Sequence, residues 1–212
     1  MKRVVACALW VLGASCSVGD GSGQVRGALR VPQCSIDDAL FDLQPTFFGA
    51  DFFDGSMLIR IAQGGETSEY SDEFSWRVND TRYVAAHLNE RIPVGLAGVA
   101  PVQATFRPAH SCGHREPSQY TPTVALEATN GYVVFTSVYR GDPNADATLR
   151  AITVREFSIS MRDPHVTIDV SPTRPASGPA AREPLPLPSA AAEFEGWFNF
   201  YFARGRPAQR FQ

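Results

Sequence analysis

Glu193–Ala203 reads EFEGWFNFYFA, and its alternation decides the fold. On a strand, successive side chains point to opposite faces. Phe194, Phe198, Phe200 and Phe202 therefore share one face, and Trp197, Asn199, Tyr201 and Ala203 share the other. Left in water, these rings would form an exposed apolar strip and an aggregation hazard. The segment is expected to be an integral strand that returns across the domain, with Gly205 and Pro207 ending it. It follows a composition break at 171–192, where Pro172, Pro175, Pro179, Pro184, Pro186 and Pro188 mix with Ala, Ser and Gly. That stretch reads as an extended crossing loop.

Outward from this strand, the same two-residue period recurs. Val25, Leu29 and Val31 share a face in Gln24–Val31, with Gly27 as a thin spot. Leu40–Leu43 is short and apolar, and Thr46–Asp54 (TFFGADFFD) is aromatic-rich. Met57, Ile59 and Ile61 alternate, as do Phe74, Trp76 and Val78, and the turn signal Gly64-Gly65 makes these two runs antiparallel neighbours. Thr81–Leu88 breaks the alternation and suits a short helical turn. Ile92–Val99 and Val102–Phe106 read as extended around Pro101, and Pro108–Pro122 as a polar loop. Asn130-Gly131 lies between Thr123–Ala128 and Tyr132–Tyr139, the composition of a hairpin turn. Ile152 and Val154 sit on one parity but Phe157, Ile159 and Met161 on the other, which predicts a bulge between them. Val166, Ile168 and Val170 alternate again. The sum is an all-β fold, an antiparallel β-sandwich of about eight to ten short strands with at most short helical turns.

Met1–Cys16, MKRVVACALWVLGASC, has another character. Lys2 and Arg3 precede a short apolar run, Val4–Leu12, and the small residues Gly13, Ala14 and Ser15 precede Cys16. This is the layout of a secretory signal peptide, with an apolar core too short to span a bilayer. With Cys16 after Ala14 and Ser15 it resembles the bacterial lipoprotein signal, although Leu12 stands one place earlier than that pattern has its leucine. The resemblance covers residues 1–16. It implies cleavage before Cys16, diacylglycerol on its sulfur, and, from Ser17, sorting to the outer membrane. The ordinary signal peptidase could cut the same bond and leave a soluble exported protein. The resulting organisation is a signal peptide at 1–15, a lipidated Cys and flexible tether at 16–23 (SVGDGSG after Cys16), and one β domain at 24–212.

The formal charge of the whole chain is −3, and loss of Lys2 and Arg3 makes it more negative by two. A mildly acidic chain without a basic block argues against nucleic acid as a partner and against a polybasic hold on anionic lipid. The implied membrane contact is the lipid anchor; a protein or glycan partner is left unspecified.

Of four Cys, Cys7 leaves with the signal peptide and Cys16 is assigned to lipid. Cys34 and Cys112 can then form one disulfide in an oxidising compartment. Two buried free thiols are the alternative, and without lipidation Cys16 would compete for a partner.

Few residues suggest chemistry. His110, Cys112 and His114 have the closest approach to metal-ligand spacing, but zinc wants about four ligands and Cys112 is the better disulfide partner. Asp142, Asn144 and Asp146 are spaced like the first ligands of a calcium loop. Ala147 replaces the expected glycine and Thr153 the twelfth-position Glu, so an Asx turn is the simpler reading. No G-x-S-x-G elbow and no glycine-rich phosphate loop is present. The carboxylate pairs Asp37-Asp38 and Asp72-Glu73 read as solvated. No catalytic residue and no cofactor is indicated.

Two functions remain. One is a non-enzymatic envelope protein with a structural or interaction role, which predicts that Trp76 and Trp197 are both buried. The other is a ligand-binding β-sandwich presenting Trp76, Trp197, Phe47, Phe48, Phe52 or Phe53 to a glycan or apolar ligand. It requires an aromatic cluster in a solvent-open concavity.

Overall fold

A computed structural model of the chain describes residues 20–63, 71–96, 98–112, 124–139, 151–164 and 189–201. In chain order these form β1 (Asp20–Val31), β2 (Ile36–Leu43), β3 (Phe47–Phe53), β4 (Ser56–Gln63), β5 (Asp72–Val78), the helix α1 (Thr81–Ala86), β6 (Ile92–Pro93), β7 (Val102–Pro108), β8 (Leu126–Ser137), β9 (Ala151–Arg162) and β10 (Ala191–Tyr201). The strands make one antiparallel sheet, in the order β2-β1-β10-β9-β8-β7-β5-β4-β3, with β6 added beside β8. The expected all-β antiparallel fold is present, and its two facing layers are arms of one continuous sheet. That sheet curls into a half-barrel.

Aromatic contacts between the arms show the curl. Trp76 on β5 packs edge-on against Phe157 on β9 at 4.8 Å, and Phe74 meets Phe194 on β10 at 5.0 Å. Phe48 on β3 reaches Phe200 at 5.6 Å. Phe74, Trp76, Phe106, Phe157, Phe194, Phe198 and Phe200 are all buried in this core. Each large side chain removed from water contributes roughly 1.5–3 kcal/mol, so the facing arms are the main source of stability.

The last strand is as integral as its alternation requires. β10 lies between β1 and β9, with Phe194, Phe198 and Phe200 inward. Its pairing with β1 alternates small and large residues. Gly21 faces Phe200, Gly23 faces Phe198, Val25 faces Gly196 and Gly27 faces Phe194. A Cβ on Gly21 would sit 2.5 Å from the Phe200 Cβ, and one on Gly23 would sit 2.8 Å from the Phe198 Cβ. On Gly27 it would collide with the carbonyl of Glu193. This corrects the tether: Asp20–Gly23 belongs to β1, and its glycines serve close packing against phenylalanines rather than flexibility. At the other end of β10, Ala191 and Ala192 are already strand, so the crossing stretch is shorter than 171–192; residues 171–188 lie outside the described set.

Two irregularities of the sheet coincide with sequence signals. β9 shifts register at Arg155-Glu156 against both neighbours, which is the expected bulge, and Ile152, Val154, Phe157, Ile159 and Met161 all face inward. Asn130-Gly131 is not a hairpin turn. β8 runs straight through it, and Thr129 is the extra residue of a bulge between Ala128 and Asn130. Gly131 has φ +144°, where L side chains are rare, and its Cβ would strike Ser158 and Ile159 of β9. A continuous partner, β9, outweighs the local preference to turn.

The helical turn falls where alternation fails. α1 is capped by Asp80, whose carboxylate accepts from the backbone N–H of Arg82 and Tyr83. β4 and β5 pair as expected, with Ile59 opposite Trp76 and Ile61 opposite Phe74. Val166, Ile168 and Val170 lie outside the described residues.

Cys34, in a 3₁₀ turn after β1, is bonded to Cys112, which follows β7. The Cα atoms are 4.8 Å apart, within the usual range, and the bond ties one arm of the sheet to the other. Asp72 accepts from the N–H and hydroxyl of Ser111 at 2.9 and 2.6 Å and so positions this turn. Such a bond indicates maturation in an oxidising, non-cytoplasmic compartment.

Gly23→Val should lower stability by about 1–3 kcal/mol in urea denaturation, the usual cost of overpacking; a freely moving tether would lose nothing. Cys34→Ala with Cys112→Ala should cost about 4 kcal/mol for a 78-residue separation, while the double variant still folds. Identical urea midpoints with and without the bond would count against its closing the two arms.

Candidate functional site

The sequence candidates separate in space. Trp76 and Phe48 are core residues, Phe47 is buried near Arg60, and Phe52 packs against Tyr139 at 4.9 Å. Phe53 is exposed. The expected face made of these rings therefore does not exist, because neighbouring residues of β3 point to opposite sides of the sheet. Among the described residues the Trp76 Nε1–H has no acceptor, a strictly interior indole.

Other candidates are placed more simply. Cys16, His114 and the segment with Asp142, Asn144 and Asp146 lie outside the described residues. His110 is exposed, and no group of three metal-ligating side chains occurs among the described residues. Asp37 and Asp38 are exposed on the edge strand β2, as expected. Asp72 and Glu73 are not solvated. Both are buried in β5, Asp72 on Ser111 and Glu73 on Arg60 and Ser75. Each carboxylate is tied to a different partner, so the pair does not act as one unit.

What the strands do assemble is an open groove of about 440 Å³ on the outer face. Its lining includes Gln24 and Arg26 of β1, Tyr132 of β8, Arg155 and Glu156 of β9, and Glu195 and Trp197 of β10. The sheet register explains the grouping. Arg26, Glu195, Ser158 and Tyr132 are successive partners across four strands, and Gln24 faces Trp197. At about 4.8 Å per strand, that row is about 14 Å long.

The β9 bulge makes the depression. Gly196 pairs with Phe157 and Phe198 pairs with Val154, so Arg155 and Glu156 together oppose Trp197. The backbone there cannot lie flat. Gly196 has no side chain on the inner side, where the Phe157 ring takes the space.

Trp197 is 41% exposed, and the Arg91 guanidinium lies 4.2 Å above the Tyr132 ring. Two arginines and two glutamates balance the charge of the lining. Their ion pairs are long and solvent-exposed, 3.7 Å for Arg26–Asp42 and 3.9 Å for Arg155–Glu156. Pairs of this kind hold side chains weakly and leave them able to bond a ligand. The arrangement offers an aromatic face beside guanidinium donors, carboxylate acceptors and the Gln24 amide, which itself donates to Asp42 at 3.0 Å.

Alternation separated the roles of the two tryptophans only in part. It put Trp197 on the face opposite the phenylalanines, but the strands beside it depend on long-range pairing. Trp197→Ala should leave the urea midpoint nearly unchanged, whereas Trp76→Ala should cost about 3–5 kcal/mol. Comparable losses in the two variants would mean that Trp197 is structural. No family model, no curated protein and no solved structure matches the chain.

Proposed function

We propose that the chain is an exported, lipid-anchored, non-enzymatic envelope protein that binds an uncharged polar glycan in the Trp197 groove. The observation that carries this reading is the burial contrast between the tryptophans. Trp76 is wholly enclosed, while Trp197 stands in a solvent-open concavity surrounded by hydrogen-bonding groups. A purely structural role called for both to be buried.

The chemistry of the lining favours the ligand class. An aromatic ring offers apolar contact to the C–H face of a sugar, and flanking Arg, Glu and Gln side chains match its hydroxyls. Balanced charge gives no net attraction for phosphate or nucleic acid. An apolar ligand would call for an enclosed, mostly apolar pocket, and this groove is open and polar. Hydrolysis of the glycan calls for a carboxylic acid sheltered from water. Glu195 is exposed and Glu156 lies beside Arg155, so binding without cleavage is the better fit. Export is supported by the signal-like Met1–Cys16 segment and by the Cys34–Cys112 bond, and attachment through Cys16 by the Met1–Cys16 segment alone.

Titration of the purified mature protein with neutral hexose and N-acetylhexosamine oligomers should change tryptophan emission at saturating ligand. Trp197→Ala should weaken binding about tenfold or more, a loss of at least about 1.4 kcal/mol, without unfolding the domain. Release of new reducing ends would replace the binding role by a hydrolytic one. If no neutral oligomer perturbs the emission, the glycan reading fails.

A further inference from the structure

The antiparallel order brings particular strand ends to one rim of the half-barrel. Asp20 at the start of β1 pairs with Tyr201 at the end of β10, and Tyr201 pairs with Ala151 at the start of β9. On the other arm the β3–β4 turn reaches the same rim. There Phe53 pairs with Ser56, and the Thr81 N–H at the start of α1 donates to the Gly55 carbonyl at 2.8 Å. Phe52 and Tyr139 join the two arms at this rim.

Three aromatic side chains are left to solvent at this rim. Phe53 is 54% exposed, Tyr83 on α1 is 38% exposed and Tyr201 is 55% exposed. We propose that this rim rests on the phospholipid surface, with Phe53, Tyr83 and Tyr201 in the interfacial layer. The inference rests on the Cys16 anchor of the preceding reading and adds an orientation to it.

Chain length carries the argument. Four residue steps separate Cys16 from Asp20, where β1 begins. At full extension they span about 14 Å. The headgroup layer on each side of a bilayer is about 5–7 Å thick, so little free length remains beyond it. The rim that bears Asp20 is held close to the membrane and cannot turn away.

The exposed side chains suit that position. Tyrosine is enriched at membrane–water interfaces, where an apolar ring with a polar end is accommodated. Among the described residues, the charged side chains at this rim include Asp54, Asp80 and Arg82, which together give no electrostatic pull toward anionic lipid. The contact is therefore apolar and insensitive to salt. Trp197 lies four residues up β10 from Tyr201, about 13 Å from the rim, so docking leaves the groove open to the side.

The test uses the mature lipidated protein, beginning at Cys16, reconstituted in phosphatidylcholine vesicles with bromine on the acyl chains as quencher. Phe53→Trp and, separately, Tyr201→Trp should each add an emission component that bromolipid quenches roughly twofold, as for a ring at interfacial depth. The emission of Trp76 and Trp197 in the unmodified protein should stay unchanged, and added salt should not reduce the quenching. Fatty-acid labelling of Cys16 is read on the same samples, with Cys16→Ala as control. Label without quenching in both variants overturns the orientation alone. Absence of label overturns the anchor and the orientation with it.

Discussion

The seam between β1 and β10 is the constraint on which the rest of the sheet depends. Along this seam a Cβ at position 21, 23 or 27 of β1 would collide with β10, so the small residues are required there. Glycines at 21, 23 and 27 face phenylalanines at 200, 198 and 194, and Val25 faces Gly196. The two backbones approach normally while the phenylalanine rings extend over the glycines into the interior. A strand near the start of the described chain and one near its end are joined by this complementarity, and the polypeptide between them must form a curled sheet. Dense interiors tolerate little volume error, so the pattern selects one register.

From that seam the facing arms follow. The phenylalanines of β10 meet Phe74 and Trp76 from β5, and Phe48 from β3. β9 must bring Val154 and Phe157 inward although an odd step separates them in sequence. It does so by a bulge, and that bulge creates the outer groove beside Trp197. The surface feature that supports a binding role is thus a consequence of how the core is filled. The disulfide contributes differently: it ties Cys34 to Cys112 across the arms and limits how far the unfolded chain can expand.

The two faces of the sheet have separate physical jobs. The inner face is almost wholly apolar. The outer face carries charged side chains in loosely paired rows, with Trp197 as its large exposed ring beside the β9 bulge. Where charge is buried on the outer side, at Arg60 and Glu73, the two groups pair with each other, and Glu73 also accepts from Ser75, rather than standing open to a ligand. Such a pair registers the strands at a desolvation cost, so it is a feature of architecture more than of binding.

Local alternation by itself determined the strand character of Glu193–Tyr201, the β4–β5 pairing, the break at α1 and the bulge in β9. It did so because one sheet face is buried and a two-residue period records which one. Cysteine elimination likewise pointed to Cys34 and Cys112. Only tertiary structure decided the fates of the glycines. Asn130-Gly131 has turn chemistry, yet β9 pairs along β8 and converts it into a bulge. The glycines at 21 and 23 look like a tether until the phenylalanines of β10 lie opposite them. The groove was equally illegible, because its residues come from four strands far apart in the chain. A single sequence records the period of each strand but not its neighbour, and it is the neighbour that determines whether a small residue means freedom or a tight fit.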